Sequence, residues 1–353
     1  MAKSVVGLKI GASGLSAACV EHNGAVRLLQ VARAPLPHGV FANGEVRDPQ
    51  ALAAALKAFF KAHKLPRRNV RVGVGTNRIG VRTIELAGIE DSKQLANAVR
   101  FRAQEALPIP VDQAVLDFQV LSEDVDAEGA PRKRVLLVVA YRELVDGYAL
   151  ACRLAGIRLT GIDLEAFALL RALTPSAPEA GARNALVALA IGAERSILAV
   201  SDGYACEFTR VLDWGGNSLS IALARALGCD VEAAEAIKVQ LSLNGGEVPE
   251  GVTPEQATQA RDAIRASLQG FARELVSSLQ FYQTQPDSLG IREVALAGGT
   301  AQLGGIASAL ELLAGVPVRV ADPLTTVGTA KKLKGGAPGP SSVVAIGLGM
   351  AQA

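Results

Sequence analysis

The chain has 353 residues, 50% hydrophobic and 20% charged, which is too long for one ordinary core and too apolar for a disordered protein. Its 36 basic and 34 acidic residues leave a formal net charge of +2, without the clustered Lys and Arg of a nucleic-acid binder. Aromatic residues make up 4%, which argues against stacking platforms for bases.

The N-terminus runs directly into an apolar strand pattern, Val5-Val6-Gly7-Leu8, without the long apolar segment of a signal peptide. No run of 18 apolar residues occurs, because the best candidate, Ala185 to Val200, is broken by Glu194 and Arg195. The expectation is a soluble, cytoplasmic protein that reaches a membrane only through a partner. Cys19, Cys152, Cys206 and Cys229 form no C-x-x-C pair and read as small buried hydrophobes in a reducing compartment. His22, His38 and His63 have no ligand spacing, so no metal site is expected from them.

Ala25 to Ala34 predicts a strand. Asp48-Pro49 opens a helix, a capping side chain followed by Pro at the first helical position, with Leu52, Leu56, Phe59, Phe60 and His63 on one face. Val70, Val72 and Val74 alternate as a strand. Residues 78–160 then read as an additional unit. It comprises a strand from Val81 to Leu86 and a helix from Asp91 to Ala106, with Leu95, Val99, Ala103 and Ala106 inward and Pro108 and Pro110 as its stop. Strands from Val115 to Leu121 and from Arg134 to Ala140 follow, then a helix from Arg142 to Ala155. The acidic stretch Ser122 to Pro131 reads as an exposed hairpin loop, and Thr174 to Arg183, rich in Pro and Ala, as a joint. Beyond it, Leu219, Leu223 and Leu227 line a helix that Gly228 ends. Asp230 caps the next, which carries Glu235, Ile237, Lys238 and Leu241. Ile264, Leu268, Phe271, Leu275, Leu279 and Tyr282 are spaced as the apolar face of a long helix.

The chain also repeats itself. Residues 5–21 read VVGLKIGASGLSAACVE and residues 186–202 read LVALAIGAERSILAVSD. At a constant offset of 181, the pairs Val6/Val187, Leu8/Leu189, Ile10/Ile191, Gly11/Gly192, Ala12/Ala193 and Ala18/Ala199 are identical. Each copy is an apolar run, a Gly turn and a second apolar run, the pattern of a β-hairpin whose turn needs a Gly. Two such hairpins half a chain apart predict an α/β fold duplicated into two lobes.

The hairpins at Leu8–Gly11 and Leu189–Gly192, with the late strand Val294-Ala-Leu-Ala-Gly-Gly-Thr300, resemble the actin/Hsp70/sugar-kinase superfamily. More narrowly, the chain resembles the PilM family of type IV pilus machines, related to the cell-division protein FtsA. The residues that carry this resemblance are Phe101-Arg-Ala-Gln-Glu-Ala-Leu-Pro-Ile-Pro-Val-Asp112, Val115-Leu-Asp-Phe-Gln-Val-Leu121 and Ile162-Asp-Leu-Glu-Ala-Phe167. Ser278-Leu-Gln-Phe-Tyr282, Gly298-Gly-Thr-Ala-Gln-Leu-Gly304 and Val344-Ala-Ile-Gly-Leu348 complete it. The resemblance implies two lobes around a cleft. Lobe I takes residues 1–77, 161–183 and 322–353, and an FtsA-type inserted subdomain takes 78–160. The lobe II core takes 184–215 and 288–321, and its outer subdomain takes 216–287. It also implies ATP or ADP between the lobes, and a short N-terminal cytoplasmic peptide of PilN, a membrane protein, in a groove involving the inserted subdomain. Other platform proteins and the pilus motor would be further partners.

Actin-like ATPases carry a carboxylate at both hairpin turns, where it orders the shell of Mg²⁺. Here those positions are Lys9 and Ala190. Hydrolysis is expected to suffer most and Mg²⁺ is poorly supported, whereas backbone N–H groups around Gly11, Ala12 and Ser13, and around Gly192 and Ala193, can still cradle phosphate oxygens. Lys9 then has two readings: a point charge beside the phosphates, or the filler of an empty cleft, paired with Glu165 or another acid. Glu165 resembles the acid that places the attacking water, and reads equally as a helix N-terminal charge with Asp163 as cap. Glu235 and Lys238 match a pair that approaches the nucleoside in relatives, or form an i,i+3 surface pair. Gly298, Gly299 and Thr300 either let backbone approach adenosine and phosphates or make a tight strand-to-helix turn.

Arg100, Arg102 and Gln104 flank an apolar helix that ends at Pro108-Ile109-Pro110, and with Ile109 and Asp112 they are the candidate surface for the peptide, each alone being readable as a solvated side chain. The competing functions are an active actin-like ATPase or small-molecule kinase, against which Lys9 and Ala190 stand, and the cytoplasmic part of a type II secretion platform protein, which would continue into a transmembrane helix.

Overall fold

Alternation decides the first sheet. Val6, Leu8 and Ile10 point to one face of the first strand and are at most 1% exposed, while Gly7 and Lys9 point to the other. A computed structural model describes residues 3–89, 91–106, 110–125, 129, 131–174, 184–286 and 288–351.

The chain begins β1 (Lys3–Gly11), β2 (Gly14–Asn23), β3 (Ala25–Pro35), a small hairpin of β4 (Phe41–Ala42) and β5 (Glu45–Val46), α1 (Pro49–Ala62) and β6 (Val70–Val74). Next come β7 (Ile79–Ala87), α2 (Ser92–Ala106), β8 (Ala114–Val125), β9 (Pro131–Tyr141), α3 (Arg142–Leu154), β10 (Leu159–Leu164) and α4 (Glu165–Leu173). The second half runs β11 (Asn184–Ile191), β12 (Ser196–Ser201), β13 (Cys206–Leu212), α5 (Gly216–Leu227), α6 (Val231–Gln240), α7 (Pro254–Gln283) and β14 (Gly290–Ala297). It closes with α8 (Ile306–Ala314), β15 (Val318–Val320), β16 (Gly328–Lys334) and α9 (Val343–Met350).

Among the described residues the two large sheets have one plan. The first has the order β10-β6-β1-β2-β3-β16 and the second β15-β14-β11-β12-β13. In each, three antiparallel strands lead the sheet, and two parallel strands are added on the far side of the first strand. The hairpins are equivalent to the residue: Lys9 faces Ser16 and Ala190 faces Ile197, at the same offset of 181 as in the sequence. Neither Gly11 nor Gly192 has a positive φ, which corrects the reason given for them. A Cβ on Gly192 would lie 2.9 Å from the Arg195 carbonyl oxygen, so space, not handedness, selects glycine there.

Helix ends follow the sequence signals. Asp48 Oδ1 accepts from the N–H groups of Gln50 and Ala51, and Asp230 Oδ1 accepts from Ala233 N–H. Gly228 ends α5 in the left-handed region at φ 66°. In α7, Ile264, Leu268, Phe271, Leu275, Leu279 and Tyr282 are all buried, and Trp214 stacks on Phe271 at 4.2 Å.

The inserted sheet has the order β7-β9-β8 and is backed by α2 through Leu95, Val99 and Ala103. Two expectations change here. The helix α3 does not close this unit: its Leu144, Tyr148, Ala151 and Cys152 pack into the core of the first sheet with α1. The stretch from Ser122 is strand as far as Val125, because Glu123 pairs with Lys133 and Asp124 with Arg132 across the ladder. Ile109 and the joint residues 175–183 lie outside the described residues.

Helices α4 and α9 fill the space between the two large sheets. The face of the second sheet toward them is built of small residues, Ala188, Ala190, Ala199, Ala295 and Ala297. Glycines bring α9 closer still, since a Cβ on Gly7 would lie 2.0 Å from the Ala345 carbonyl oxygen and one on Gly347 1.8 Å from that of Ala168. The edge strand β16 carries Lys331, Lys332 and Lys334, charges that discourage pairing with another chain.

Candidate functional site

In open α/β sheets, ligands bind beyond the carboxyl ends of the parallel strands. Here the carboxyl ends of β1 and β11, with the short turns that follow them, look onto one cleft of about 1390 Å³. Lys9, Gly11, Ala12, Ser13, Glu165, Gly192, Ala193, Glu235, Lys238, Gly299 and Thr300 all line it. Of the cleft residues expected from sequence, Gly298 stands apart. It does not line the cleft, its φ is 93°, and a Cβ on it would lie 2.2 Å from the Ile191 carbonyl oxygen. Gly298 thus fits strand β14 to β11, whereas Gly299 meets open space.

The second turn is already knitted to its surroundings. The carbonyl of Gly192 accepts from Gly216 N–H at 2.9 Å and from Thr300 Oγ1 at 3.2 Å, and Ala193 accepts from Asn217 N–H at 2.8 Å. The first amides of α5 and the Thr300 hydroxyl therefore hold protein, not solvent.

Lys9 Nζ sits 2.8 Å from Glu165 Oε2, with the two side chains 20% and 7% exposed. Glu165 is the first residue of α4, and Leu164, not Asp163, occupies the cap position. Asp163 instead accepts from Leu164 N–H and pairs with Arg171 at 3.1 Å. Cross-strand register extends Lys9 into a row, Lys9–Ser16–Arg33, on the face of the first sheet that looks into the cleft. The row at the same place in the second sheet is Ala190–Ile197–Val211, apolar throughout. Sequence reasoning missed Ser16 and Arg33. The signal was available, since strand pairing fixes which residues stand opposite Lys9.

Lys238 is 7% exposed, so its pair with Glu235 is not a solvated surface pair. Its ammonium donates to the Gly216 carbonyl at 3.0 Å, to Ser220 Oγ at 2.9 Å and to Glu235 Oε2, and Ser220 also meets Glu235. Ile221, Val231 and Val239, each at least 40% exposed, form an apolar lip beside it.

Contacts between the halves close the floor of the cleft. Asn43 N–H donates to Glu194 Oε2 at 2.9 Å and Asn77 Nδ2 donates to Asp213 Oδ2 at 2.9 Å, and within the second half Arg195 holds the same Asp213 at 3.2 Å. Arg134 of the inserted sheet pairs with Glu207 of β13. Tyr148 lines the same floor and donates to the Gly44 carbonyl at 2.9 Å. Burial pushes its phenol well above the ordinary value, and the charge of Glu165 adds to this.

The two hairpin-turn positions at which a carboxylate is expected to order a metal hold Lys9 and Ala190. Among the described residues no group of three or more His, Cys, Asp or Glu could hold a metal ion. Neither the Lys9 nor the Ala190 side chain offers an oxygen to the water shell of a Mg²⁺ ion.

A family model described as type IV pilus assembly protein PilM matches residues 7–353. The chain belongs to the PilM family. It is 28% identical to a chain of a solved PilM–PilN type IV pilus biogenesis complex, covering 98% of this chain and 97% of that one, with a TM-score of 0.80. The ethanolamine utilization protein EutJ of Carboxydothermus hydrogenoformans is 14% identical over 99% of this chain and 89% of that one, with a TM-score of 0.58. MreB5 of Spiroplasma citri, solved with ADP, is 12% identical over 98% and 94%, with a TM-score of 0.52. The fold is that of the actin-like proteins, and among the described residues no helix is long and apolar enough to cross a membrane.

The peptide-binding surface expected for this PilM-family chain falls on the outer face of α2. Arg100, Arg102 and Gln104 are exposed there, and so is Phe101 at 63%. Asp112 is exposed in the turn after α2, and its backbone carbonyl accepts from Arg142 at 3.4 Å. A large aromatic left in solvent beside cations is what sequence patterning did not reveal, because position 101 falls just outside the inward row Leu95, Val99 and Ala103.

Proposed function

We propose that the chain is a scaffold of a type IV pilus inner-membrane assembly platform that holds the N-terminal cytoplasmic peptide of a PilN-like membrane protein. The observation that carries this reading is the end-to-end correspondence in fold, at 28% identity, with a chain of a PilM–PilN complex. The chain then works on the cytoplasmic side and is recruited to the inner membrane through that partner, with motor and other platform proteins as further contacts. The α2 face supplies what a short peptide needs: the Phe101 ring for apolar contact, and Arg100 and Arg102 for carboxylates or backbone carbonyls. In this reading α3 travels with the first lobe, and the inserted subdomain is β7–β9 with α2.

The cleft takes a nucleotide with its phosphates at the turns of β1 and β11 and its nucleoside near Glu235, Lys238 and the lip of Ile221, Val231 and Val239. Turnover is weak or absent, because no carboxylate stands at position 9 or 190 to order a metal in the transition state. Nucleotide therefore acts as a ligand that sets the separation of the lobes. Calorimetry with a synthetic PilN N-terminal peptide and the full chain tests the reading. Saturable binding that Arg100→Ala and Phe101→Ala weaken supports it, and absence of binding by folded protein sinks it.

A further inference from the structure

We infer that the cleft binds a polyphosphate without a divalent cation, the row Lys9–Ser16–Arg33 supplying the positive charge that the fold otherwise takes from Mg²⁺. This rests on the nucleotide reading of the same cleft. Three observations carry it.

The acids are missing in a directed way. Position 190 is filled by a methyl group, but position 9 by an ammonium, which is held in place by Glu165 at 2.8 Å. An ammonium has three donors, and Glu165 takes one of them. Lys9 is thus a fixed cation where the metal's carboxylate would stand.

Ser16 is 8% exposed, lines the cleft wall, and its Oγ has no hydrogen-bond partner. A buried hydroxyl without a partner is destabilising and rare. Its neighbours in the row are two cations, so the partner it lacks is a negatively charged hydrogen-bond acceptor, which a phosphate oxygen is.

Arg33 is the cation of the cleft without a commitment. The charged residues lining the cleft are Lys9, Arg33, Arg195 and Lys238 against Glu165, Glu194, Glu232 and Glu235. Arg195 is paired with Asp213 and Lys238 with Glu235, while the Arg33 guanidinium has no ion-pair or hydrogen-bond partner among the described residues. A planar fork on β3, across Ser16 from Lys9, suits two oxygens of a phosphate chain. The equivalent row of the second sheet, Ala190–Ile197–Val211, has no charge to offer, so recognition is one-sided.

The test is calorimetry on the full chain with three ligands: ATP in EDTA, ATP with excess MgCl₂, and sodium tripolyphosphate in EDTA. The expected result is that ATP binds as tightly in EDTA as with Mg²⁺, and that tripolyphosphate competes with it. Arg33→Ala, an exposed position that leaves the thermal melt unchanged, weakens binding in EDTA about tenfold. Lys9→Asp removes metal-free binding and makes what remains depend on Mg²⁺. ATP binding that requires Mg²⁺ in the unaltered protein overturns the inference and leaves the nucleotide reading standing. Failure of tripolyphosphate to compete, or an Arg33→Ala variant with unchanged affinity in EDTA, also overturns it. No binding in any arm overturns both.

Discussion

Lys9 and Glu165 meet across 2.8 Å in the wall between the sheets, one at the end of β1 and the other at the start of α4. Lys9 stands where an acid is expected and, among the described residues, is the cation that pairs with the Glu165 carboxylate. Lys9→Met is therefore predicted to destabilise the fold by about 3 kcal/mol, the low end for a buried pair because a fifth of the Lys9 side chain still meets solvent. The double variant Lys9→Met/Glu165→Gln recovers most of that loss, as read from urea denaturation midpoints. A double variant less stable than either single one would contradict the pairing.

Steady-state phosphate release with ATP and Mg²⁺ is predicted to stay at the level of a protein-free control. Kinases of this general chemistry turn over at about 1–100 s⁻¹. A rate in that range, stimulated by Mg²⁺ and lost in EDTA, would show that other residues order the metal.

Adjacent glycines are predicted to respond differently. Gly298→Ala forces a side chain to a φ of 93° and into the Ile191 backbone, and lowers stability by more than about 2 kcal/mol. Gly299→Ala meets nothing within 4 Å and melts like the unaltered chain, so any change it causes appears only in nucleotide titrations. Thermal melts of the two variants side by side decide this.

The exposed Phe101 is predicted to matter for the peptide and not for the fold. Phe101→Ala changes the melting temperature negligibly and weakens binding of the PilN peptide by about tenfold or more, the range of an aromatic anchor. Leu95→Ala is the contrasting case, since it cuts into the core of the inserted sheet and costs about 2–4 kcal/mol.

The thiols supply a pH prediction. Burial pushes Cys152 and Cys206 from an ordinary value of 9.0 up to about 12. In the unfolded chain both ionise near pH 9, while the folded protein keeps them neutral, so their contribution to stability is complete below that pH and is lost as pH rises toward 12. A disulfide-exchange reagent at pH 8 is expected to label Cys229 first and Cys19, Cys152 and Cys206 only as the protein unfolds.

Much of this architecture was legible in the residues because local signals and long-range order agreed. The offset between Lys9 and Ala190 is a sequence fact, and the sheets reproduce it as equivalent register positions. The capping carboxylates Asp48 and Asp230 and the apolar row of α7 needed no tertiary information. What stayed hidden depends on what lies across a gap. Gly7 and Gly347 look like lapses in apolar runs until α9 is found pressed against them. Arg33 looks like one cation on one strand until β2 brings it beside Ser16 and Lys9. The Asn43-Gly44 turn carries a hairpin dipeptide, but its contact with Glu194 spans two lobes and has no sequence trace.

The ring of His22 bonds the carbonyl of Gly349 at 2.9 Å, a contact between residues 327 apart. Until residues 327–350 dock, Ala18, Val20 and Val31 of the first sheet lack their packing partners Val327, Ala345 and Ile346. The nascent chain thus carries a bare apolar flank for as long as its slowest, most distant contact takes to form. Synthesis of this protein is on that account a period of aggregation risk, which chaperone capacity rather than the finished molecule's stability would govern.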